Sequence, residues 1–232
     1  RREPRFPGGA MVMGNIAVET DVLVIGGGPG GYTAAIRCAQ LGKQVVLVEK
    51  NELGGICLNE GCIPSKALIH AAIEYEHCHK LNKMGITFGP ATLDTKKLQE
   101  WKSDVVAKLR GGLQVLFKNY GIELVKGEAF FQGGGRIAVT TENGMAYFEP
   151  KNVVIATGSK AVQLKGFEFN GKTIVSAKEA LEFTEVPKRL VVVGGGYIGV
   201  EMGIVWAKLG SKVTIVEARD GILRQPEKVA GA

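Results

Sequence analysis

Two cysteines five residues apart are the side chains of this sequence best suited to redox chemistry. Cys57 and Cys62 lie in the segment Gly-Gly-Ile-Cys-Leu-Asn-Glu-Gly-Cys-Ile-Pro-Ser-Lys, residues 54–66. At this spacing they can close a small-ring disulfide, and a helix N-terminus or a nearby cation such as Lys66 favours the reactive thiolate. A disulfide beside a bound redox cofactor can pass two electrons. The pair therefore indicates a dithiol reductase or oxidase.

A zinc site is the alternative use of these cysteines. The available ligands are Cys57, Cys62, His70, His77, Cys78 and His79. Their spacing fits no standard structural zinc template, so we predict no metal site. We interpret the two neighbouring histidines as solvated residues at a helix C-terminus, and Cys38 and Cys78 as inert helix residues.

Two glycine-rich segments in the same register point to dinucleotide binding. A shift of 168 residues lays residues 22–49 over residues 190–217. The glycines that coincide include Gly26, Gly28 and Gly31 in the first copy and Gly194, Gly196 and Gly199 in the second. In such a motif the first glycine makes a tight turn, the second leaves room for a pyrophosphate and the third lets a helix pack on the sheet. The phosphates then meet the helix N-terminus, so the sequence predicts two dinucleotide sites.

Each copy ends in a glutamate. Glu49 and Glu217 both lie 23 residues after the first glycine, where a carboxylate can accept hydrogen bonds from ribose hydroxyls. A 2′-phosphate would be repelled there, so the second site is expected to prefer NAD to NADP, although Arg219 nearby weakens that preference. The alternative is that the glycines only close turns and the glutamates are solvated strand ends. Agreement of spacing and context in both copies disfavours it.

The elements around these motifs predict an α/β fold. The chain has 232 residues, of which 45% are hydrophobic and 22% charged, as in globular proteins. Periodicity predicts a strand at 22–25, a helix to about 41 and a strand at 45–48, then helices at 64–80 and 95–119. Short strands at 122–125, 136–140 and 146–148 are expected to form an antiparallel β-meander. The expected fold is two Rossmann-like dinucleotide-binding units with this meander.

Charge and hydropathy exclude other classes. The net charge is +6, with no run of five like charges and no basic stripe, so we predict no nucleic-acid binding. The most apolar stretch, residues 190–207, is interrupted by glycines and by Glu201, so no membrane span is predicted. The sequence does not open on a secretory signal pattern, and we therefore expect a reducing, cytoplasmic location.

From about residue 20 to 223 the sequence resembles the FAD-dependent pyridine-nucleotide disulfide oxidoreductases. Segment 54–66, with Leu58, Ile63 and Ser65, is similar to the lipoamide branch of that family. The resemblance implies FAD in the first site, NAD in the second, and oxidation of dihydrolipoamide by NAD within 2-oxo acid dehydrogenase complexes. The alternatives are a sibling enzyme that reduces glutathione disulfide, mercuric ion or coenzyme A disulfide, and a non-catalytic FAD-binding fragment.

The resemblance also implies roles for individual residues. Those implied to contact FAD are Gly26, Gly28, Gly30, Gly31, Glu49, Lys50, Gly55, Lys66, Ala129, Thr157 and Gly158. Those implied to contact NAD are Gly194, Gly196, Tyr197, Ile198, Gly199 and Glu217. Cys57 would exchange with the substrate and Cys62 would face the flavin. Lys66 would stabilise anionic forms and pair with Glu201.

The resemblance further implies a longer protein. Family members continue past position 232 into a dimerisation domain, so we expect an N-terminal fragment of an enzyme that is a homodimer. Residues 1–14 are expected to be a tail or linker, 15–156 an FAD-binding domain with the cysteine pair, and 157–232 the start of an NAD-binding domain. That last part is expected to be poorly ordered alone, and Arg224, Gln225 and Pro226 depart from the family pattern.

Overall fold

The computed structural model describes residues 16–87 and 89–223. The expected tail at 1–14 and the departure at residues 224–226 lie outside the described residues. The chain divides into two compact units. One unit contains residues 16–59 and Ala107–Lys160, and the other contains Glu60–Val106 and the described residues from Ala161 onward.

A six-stranded sheet forms the frame of the first unit. Its strands are β1 (Ala17–Ile25), β2 (Val45–Glu49), β3 (Glu123–Lys126), β4 (Glu128–Gly133), β5 (Arg136–Thr141) and β6 (Gly144–Ile155). The order across the sheet is β3-β2-β1-β6-β5-β4. The contacts of β1 with β2 and β6, and of β2 with β3, are parallel, whereas β4-β5 and β5-β6 are antiparallel.

The first unit is built around a β-α-β crossover. Helix α1 (Pro29–Gln40) joins β1 to β2, and the short helix α2 (Gly55–Glu60) follows β2. The last four residues of β1 and the first four of β2 are buried, as expected for parallel strands covered on both faces. The core residues are Leu23, Ile25, Val46, Val48, Ile137, Val139 and Phe148. This packing places the turn after β1 and the end of β2 at one edge of the sheet.

The sheet contains an antiparallel meander as expected, but it is formed by β4, β5 and β6 and not by the three predicted segments. The segment at 122–125 corresponds to β3, which pairs in parallel with β2. The antiparallel neighbour of β5 is instead β4, whose sequence Glu-Ala-Phe-Phe-Gln-Gly lacks the alternation that predicts a strand. β6 also continues past residue 148 to Ile155, because its second half pairs with β1.

The second unit packs helices on a small sheet. Its elements are α3 (Cys62–Lys80), a 3-10 turn (Leu81–Met84), α5 (Ala177–Ala180), β7 (Arg189–Val193), α6 (Tyr197–Lys208) and β8 (Lys212–Val216). Helix α4 (Thr95–Tyr120) belongs to this unit as far as Val106. β7 and β8 form a parallel two-stranded sheet. The core residues are Leu68, Ala72, Leu181, Met202, Val205, Trp206 and Leu209.

The long helices agree with the sequence analysis in extent. α4 is one residue longer than expected, and α3 begins two residues earlier, so that Cys62 is its first residue. Helix α2 was not expected, because its six residues, Gly-Ile-Cys-Leu-Asn-Glu, are too few to show a helical period of apolar side chains. Across the described ranges, no helix has the length and apolar character needed to cross a membrane.

Candidate functional site

The first glycine loop follows β1 and tolerates no side chain at two of its positions. Gly26 has φ +103°, and a Cβ built on it would lie 2.2 Å from the carbonyl oxygen of Ala156. A Cβ on Gly31 would lie 1.8 Å from the carbonyl oxygen of Gly26. Both distances are far inside van der Waals contact, so the fold itself requires glycine at these two positions.

Two further glycines of this loop, Gly28 and Gly30, are not required by the fold. A Cβ on Gly28 would meet only the Cα of Gly55 at 3.7 Å, and one on Gly30 only the Cβ of Ala156 at 3.9 Å, both ordinary contacts. Gly28 has φ −75°, which any residue can adopt, and the space beside its Cα at the start of α1 is open. Within the described residues no side chain caps α1 at that position. The loop therefore leaves its amides and an open cradle for an anion, as a dinucleotide pyrophosphate requires.

The carboxylate of Glu49 is held against the same loop. Its Oε2 accepts a hydrogen bond from the backbone N–H of Gly27 at 2.6 Å, and its Oε1 accepts one from Asn51 N–H at 2.7 Å. Each carboxylate oxygen has a second lone pair for a further donor. Glu49 thus ends β2 beside the glycine turn, where ribose hydroxyls can be bound.

A second turn closes on the glycine loop from the other side. The N–H of Gly54 donates to the carbonyl of Gly27 at 2.8 Å. Gly55 has φ +61°, and a Cβ on it would lie 2.5 Å from the Cα of Gly28. Gly55 therefore allows backbone to approach backbone at the cradle.

The second glycine loop, after β7, repeats this geometry within its own unit. Gly194 has φ +105°, and a Cβ on Gly199 would lie 2.2 Å from the carbonyl oxygen of Gly194. A Cβ on Gly196 would meet nothing within 4 Å, and no side chain among the described residues caps α6 there. The fold requires the outer glycines, and the open space at Gly196 fits a bound phosphate.

Glu217 repeats the contacts of Glu49. Its Oε2 accepts a hydrogen bond from Gly195 N–H at 2.8 Å, and its Oε1 accepts one from Arg219 N–H at 2.9 Å. These backbone hydrogen bonds, first that from Gly195, hold the pKa of Glu217 below its usual value. Glu217 is therefore an anion at neutral pH.

A cavity of about 270 Å³ lies beside this carboxylate. It is lined by Gly195, Gly196, Glu217, Arg219, Gly221 and Leu223. Its lining joins the glycine turn, the carboxylate and the segment that follows β8. This is the arrangement that an adenosine ribose would need.

The repeat extends further than the sequence alignment indicated. Leu223 N–H donates to the carbonyl of Gly195 at 2.7 Å, as Gly54 N–H does to Gly27. Leu223 has φ +51°, and Gly54 has φ +111°, so a left-handed residue fills the same place in both loops. The ungapped shift missed this correspondence because the second copy is one residue longer here and has leucine in place of glycine.

The two redox cysteines lie on successive helices. Cys57 is on α2 and half-buried, and Cys62 is the exposed first residue of α3. All four cysteines of the sequence lie in the described residues. Each of the two is thus carried by a regular element.

Lys66 and Glu201 form the ion pair that the resemblance implies. Lys66 Nζ lies 2.6 Å from Glu201 Oε1, and their side chains are 58% and 27% exposed. An ion pair this exposed adds little to stability. Ser65, which the sequence analysis did not assign to the site, lies with its Oγ 3.3 Å from Glu201 Oε2 and 3.0 Å from the carbonyl oxygen of Cys62.

The remaining residues implied to contact FAD or NAD lie in, or directly after, strands and helices described above. Lys50 Nζ forms an exposed ion pair with Glu128 at 3.3 Å. Ala129 is in β4 opposite Val139. The other four are exposed: Thr157 and Gly158 follow β6, and Tyr197 and Ile198 open α6. None of these contacts assigns a ligand by itself.

The histidines and acidic residues form no metal cluster in residues 16–87 and 89–223. There, no group of three or more His, Cys, Asp or Glu side chains is placed to hold a metal ion. His77 lies 3.7 Å from Glu74 on the same helix, and His79 packs edge-on against Tyr75.

Comparison with known proteins gives a consistent assignment. A model of the pyridine nucleotide-disulphide oxidoreductase family matches residues 20–232. Dihydrolipoyl dehydrogenases of Geobacillus stearothermophilus and Bacillus subtilis strain 168 are 50% and 49% identical over 222 and 218 residues. These alignments cover 96% and 94% of this chain but 47% and 46% of the relatives. The chain spans about half the length of the curated relatives it matches.

Solved structures agree on the fold. LpdA from Mycobacterium tuberculosis matches with a TM-score of 0.81 over 90% of this chain and 47% of its own, at 24% identity, a level that shows the fold alone. The HOCl-induced flavoprotein disulfide reductase RclA from Escherichia coli matches with a TM-score of 0.72 and 30% identity, over 89% of this chain and 44% of its own. The expected α/β fold class is confirmed. Since the family model matches residues 20–232, this chain belongs to the pyridine nucleotide-disulphide oxidoreductases.

Proposed function

We propose that this chain is the dinucleotide-binding and disulfide-bearing part of a dihydrolipoyl dehydrogenase, which oxidises dihydrolipoamide with NAD. The observation that carries the proposal is the repeated loop, in which a glutamate at the end of a strand accepts a hydrogen bond from the backbone N–H of Gly27 in one copy and of Gly195 in the other. Two such loops and one cysteine pair suit an enzyme with two dinucleotides and a dithiol. Identity of about 50% to dihydrolipoyl dehydrogenases supports the same substrate.

FAD is the proposed ligand of the first loop. Gly26, Gly28 and Gly31 would face its pyrophosphate and Glu49 its ribose, with residues 15–156 as the FAD-binding domain. Lys50, Gly55, Ala129, Thr157 and Gly158 complete the proposed contacts. When bound, FAD supplies the two-electron relay between a dithiol and a nicotinamide.

NAD is the proposed ligand of the second loop, within residues 157–232. Gly194, Gly196 and Gly199 would face the pyrophosphate, Glu217 the adenosine ribose, and Tyr197 and Ile198 the nicotinamide end. Because Glu217 is anionic and lines the cavity, a 2′-phosphate would meet like charge there. NAD is therefore preferred to NADP.

The dithiol step uses the two cysteines. A thiolate of dihydrolipoamide attacks Cys57 Sγ and breaks the Cys57–Cys62 bond, leaving a mixed disulfide and a Cys62 thiolate. The second substrate thiolate attacks the substrate sulfur of the mixed disulfide, which closes the cyclic disulfide of lipoamide and releases Cys57. The substrate loses two electrons and two protons, and the cysteine pair gains the two electrons.

Lys66 and Glu201 are proposed to set the charge near this dithiol. Lys66 lies one helical turn after Cys62 on α3, so its positive charge is on the same helix as that cysteine. The Glu201 carboxylate accepts a hydrogen bond from the Lys66 ammonium with one oxygen and from the Ser65 hydroxyl with the other. The exposed Lys66–Glu201 ion pair contributes little to stability. Because Lys66 lies on the helix that begins with Cys62, the ion pair is proposed to serve the reaction instead.

The proposed partners follow from the substrate. Dihydrolipoamide is carried by a lipoyl domain, so the enzyme would act in a 2-oxo acid dehydrogenase complex, as a homodimer, in the cytoplasm. Nucleic acid and membrane are not proposed partners.

Steady-state turnover in the protein that contains this chain tests the proposal. We expect NAD reduction by dihydrolipoamide, measured by NADH absorbance, to exceed NADPH-dependent reduction of glutathione disulfide or coenzyme A disulfide by at least about a thousandfold. Cys57→Ser and Cys62→Ser are each expected to abolish it, while Cys38→Ser serves as control. Faster turnover with either of the other disulfides would instead assign a sibling reductase, the class that includes the similar RclA.

A further inference from the structure

We propose that Asn59 is a positioning residue that fixes the turn closing the first dinucleotide loop. It lies between the two redox cysteines in sequence, at the end of α2. The sequence analysis assigned it no role. The inference rests on the proposed FAD site and deepens it.

A single side-chain amide holds three carbonyl groups. Asn59 Nδ2 lies 3.3 Å from the carbonyl oxygen of Glu52, 3.2 Å from that of Leu53 and 3.0 Å from that of Gly55. Only the NH₂ end of the amide can face three acceptors, which fixes the orientation of the group. All three carbonyls therefore converge on one donor.

The turn bound by this amide loses much conformational entropy when it becomes ordered. Gly54 and Gly55 both have left-handed φ values, +111° and +61°. Glycines in such turns lose more conformational entropy on ordering than any other residue. The two N–H groups of this amide, shared among the three carbonyls, offset that loss and select one conformation of the turn.

The turn that Asn59 binds also contacts the first glycine loop. Gly54 N–H donates to the carbonyl of Gly27, and the position of a Cβ on Gly55 lies 2.5 Å from Gly28 Cα. A hydrogen-bonded path thus runs from Asn59 through residues 52–55 to the glycine loop. Cys57 lies in the same six-residue helix, between Gly55 and Asn59, so the amide also ties its helix to the turn.

The other end of the amide argues against a packing role. Asn59 Oδ1 is buried and has no hydrogen-bond partner among the described residues. An unsatisfied buried acceptor costs free energy, and an apolar side chain of the same shape would avoid that cost. The donor end is what this position requires.

The test combines amide hydrogen exchange with FAD binding on the 232-residue chain. Asn59→Ala removes the donor, and Asn59→Asp keeps the shape while placing a carboxylate against three carbonyls. Asn119→Ala is the matched control, because Asn119 is an exposed asparagine of the same unit. Exchange is read at Gly54 N–H and at β1 and β2, and the Kd for FAD is read from flavin fluorescence.

We expect Gly54 N–H to exchange about tenfold faster in Asn59→Ala, and faster still in Asn59→Asp, with β1 and β2 protection unchanged. The Kd for FAD is expected to rise by about tenfold or more in both variants and to stay unchanged in Asn119→Ala. Exchange and Kd equal to those of the control overturn the inference. Loss of protection across β1 and β2 also overturns it, because Asn59 would then serve folding in general.

Failure of the proposed function is read separately. If the unsubstituted chain binds no FAD, the assignment of the first site fails, and the exchange at Gly54 still decides whether Asn59 holds the turn.

Discussion

The glycines of the two loops fall into two classes. Gly199 is required by the backbone of its own loop, whereas Gly196 faces open space. The spacing of the motif predicted this division, because it assigns the outer glycines to the turn and to helix packing and the middle one to the pyrophosphate. It could not predict the backbone atoms that exclude a side chain, such as the carbonyl oxygen of Ala156 at Gly26, because the fold brings them there.

This distinction predicts opposite phenotypes for two alanine substitutions in the second loop. Gly196→Ala is expected to leave thermal stability within about 0.5 kcal/mol and to weaken NAD binding by at least about tenfold, because its methyl enters the phosphate space. Gly199→Ala is expected to cost about 1–3 kcal/mol, because its Cβ would lie 2.2 Å from Gly194 O. Thermal melts and NAD titration measure the two effects.

Equal stability loss in both variants would show that Gly196 also serves the fold. Unchanged NAD binding in Gly196→Ala would contradict a phosphate at that position. Ala207→Gly, at an exposed position of α6, is the reference variant. It gives the stability lost when only helix propensity is reduced.

Helices α3 and α6 are joined by an ion pair, in which one carboxylate lies between two lysine ammonium groups. Glu76 on α3 forms ion pairs with Lys208 on α6 and with Lys80 on its own helix, the latter at 3.0 Å. Hydrogen bonds from these lysines, first Lys208, lower the pKa of Glu76 to about 2. The sequence analysis predicted α3 directly and α6 through the repeat, but it did not predict this cross-helix pairing, because the pairing joins residues 132 apart.

The lowered pKa predicts a pH-dependent contribution to stability. The folded pKa lies below the ordinary value of 4.5, so the contribution is present above pH 4.5 and is lost as the pH falls through about 2. Glu76→Gln is therefore expected to lower the melting temperature at pH 7 and to have a shrinking effect between pH 4.5 and 2. Thermal melts across that range test it, with Glu74→Gln, at an exposed position of the same helix, as the control. A constant difference between Glu76→Gln and the unsubstituted chain at all pH values would contradict the assignment.

At the scale of the whole chain, the two units differ in how completely their sheets are covered. β1 and β2 run through the buried centre of a six-stranded sheet. β7 and β8 form a sheet of two strands, on which Val191, Val193 and Val216 are 62%, 50% and 52% exposed. The repeat in sequence predicted both crossovers, but sheet size depends on strands that only tertiary pairing brings together.

This difference predicts uneven protection within the chain. Backbone amides of β7 and β8 are expected to exchange at least about tenfold faster than those of β1 and β2, because a two-stranded sheet with one open face opens locally at low cost. Hydrogen exchange with peptide-level mass spectrometry measures both sheets in one sample. Equal slow exchange in the two sheets would show that the small sheet is stable by itself and contradict the expectation.

The measurement that tests the central claim most directly is the visible spectrum of the chain with FAD, before and after one equivalent of dihydrolipoamide without oxygen. The account predicts bound flavin and, on reduction of the Cys57–Cys62 disulfide, a long-wavelength band from the Cys62 thiolate beside the flavin. The band should be retained in Cys57→Ser and lost in Cys62→Ser. A chain that binds no FAD, or a band that persists in Cys62→Ser, would contradict it.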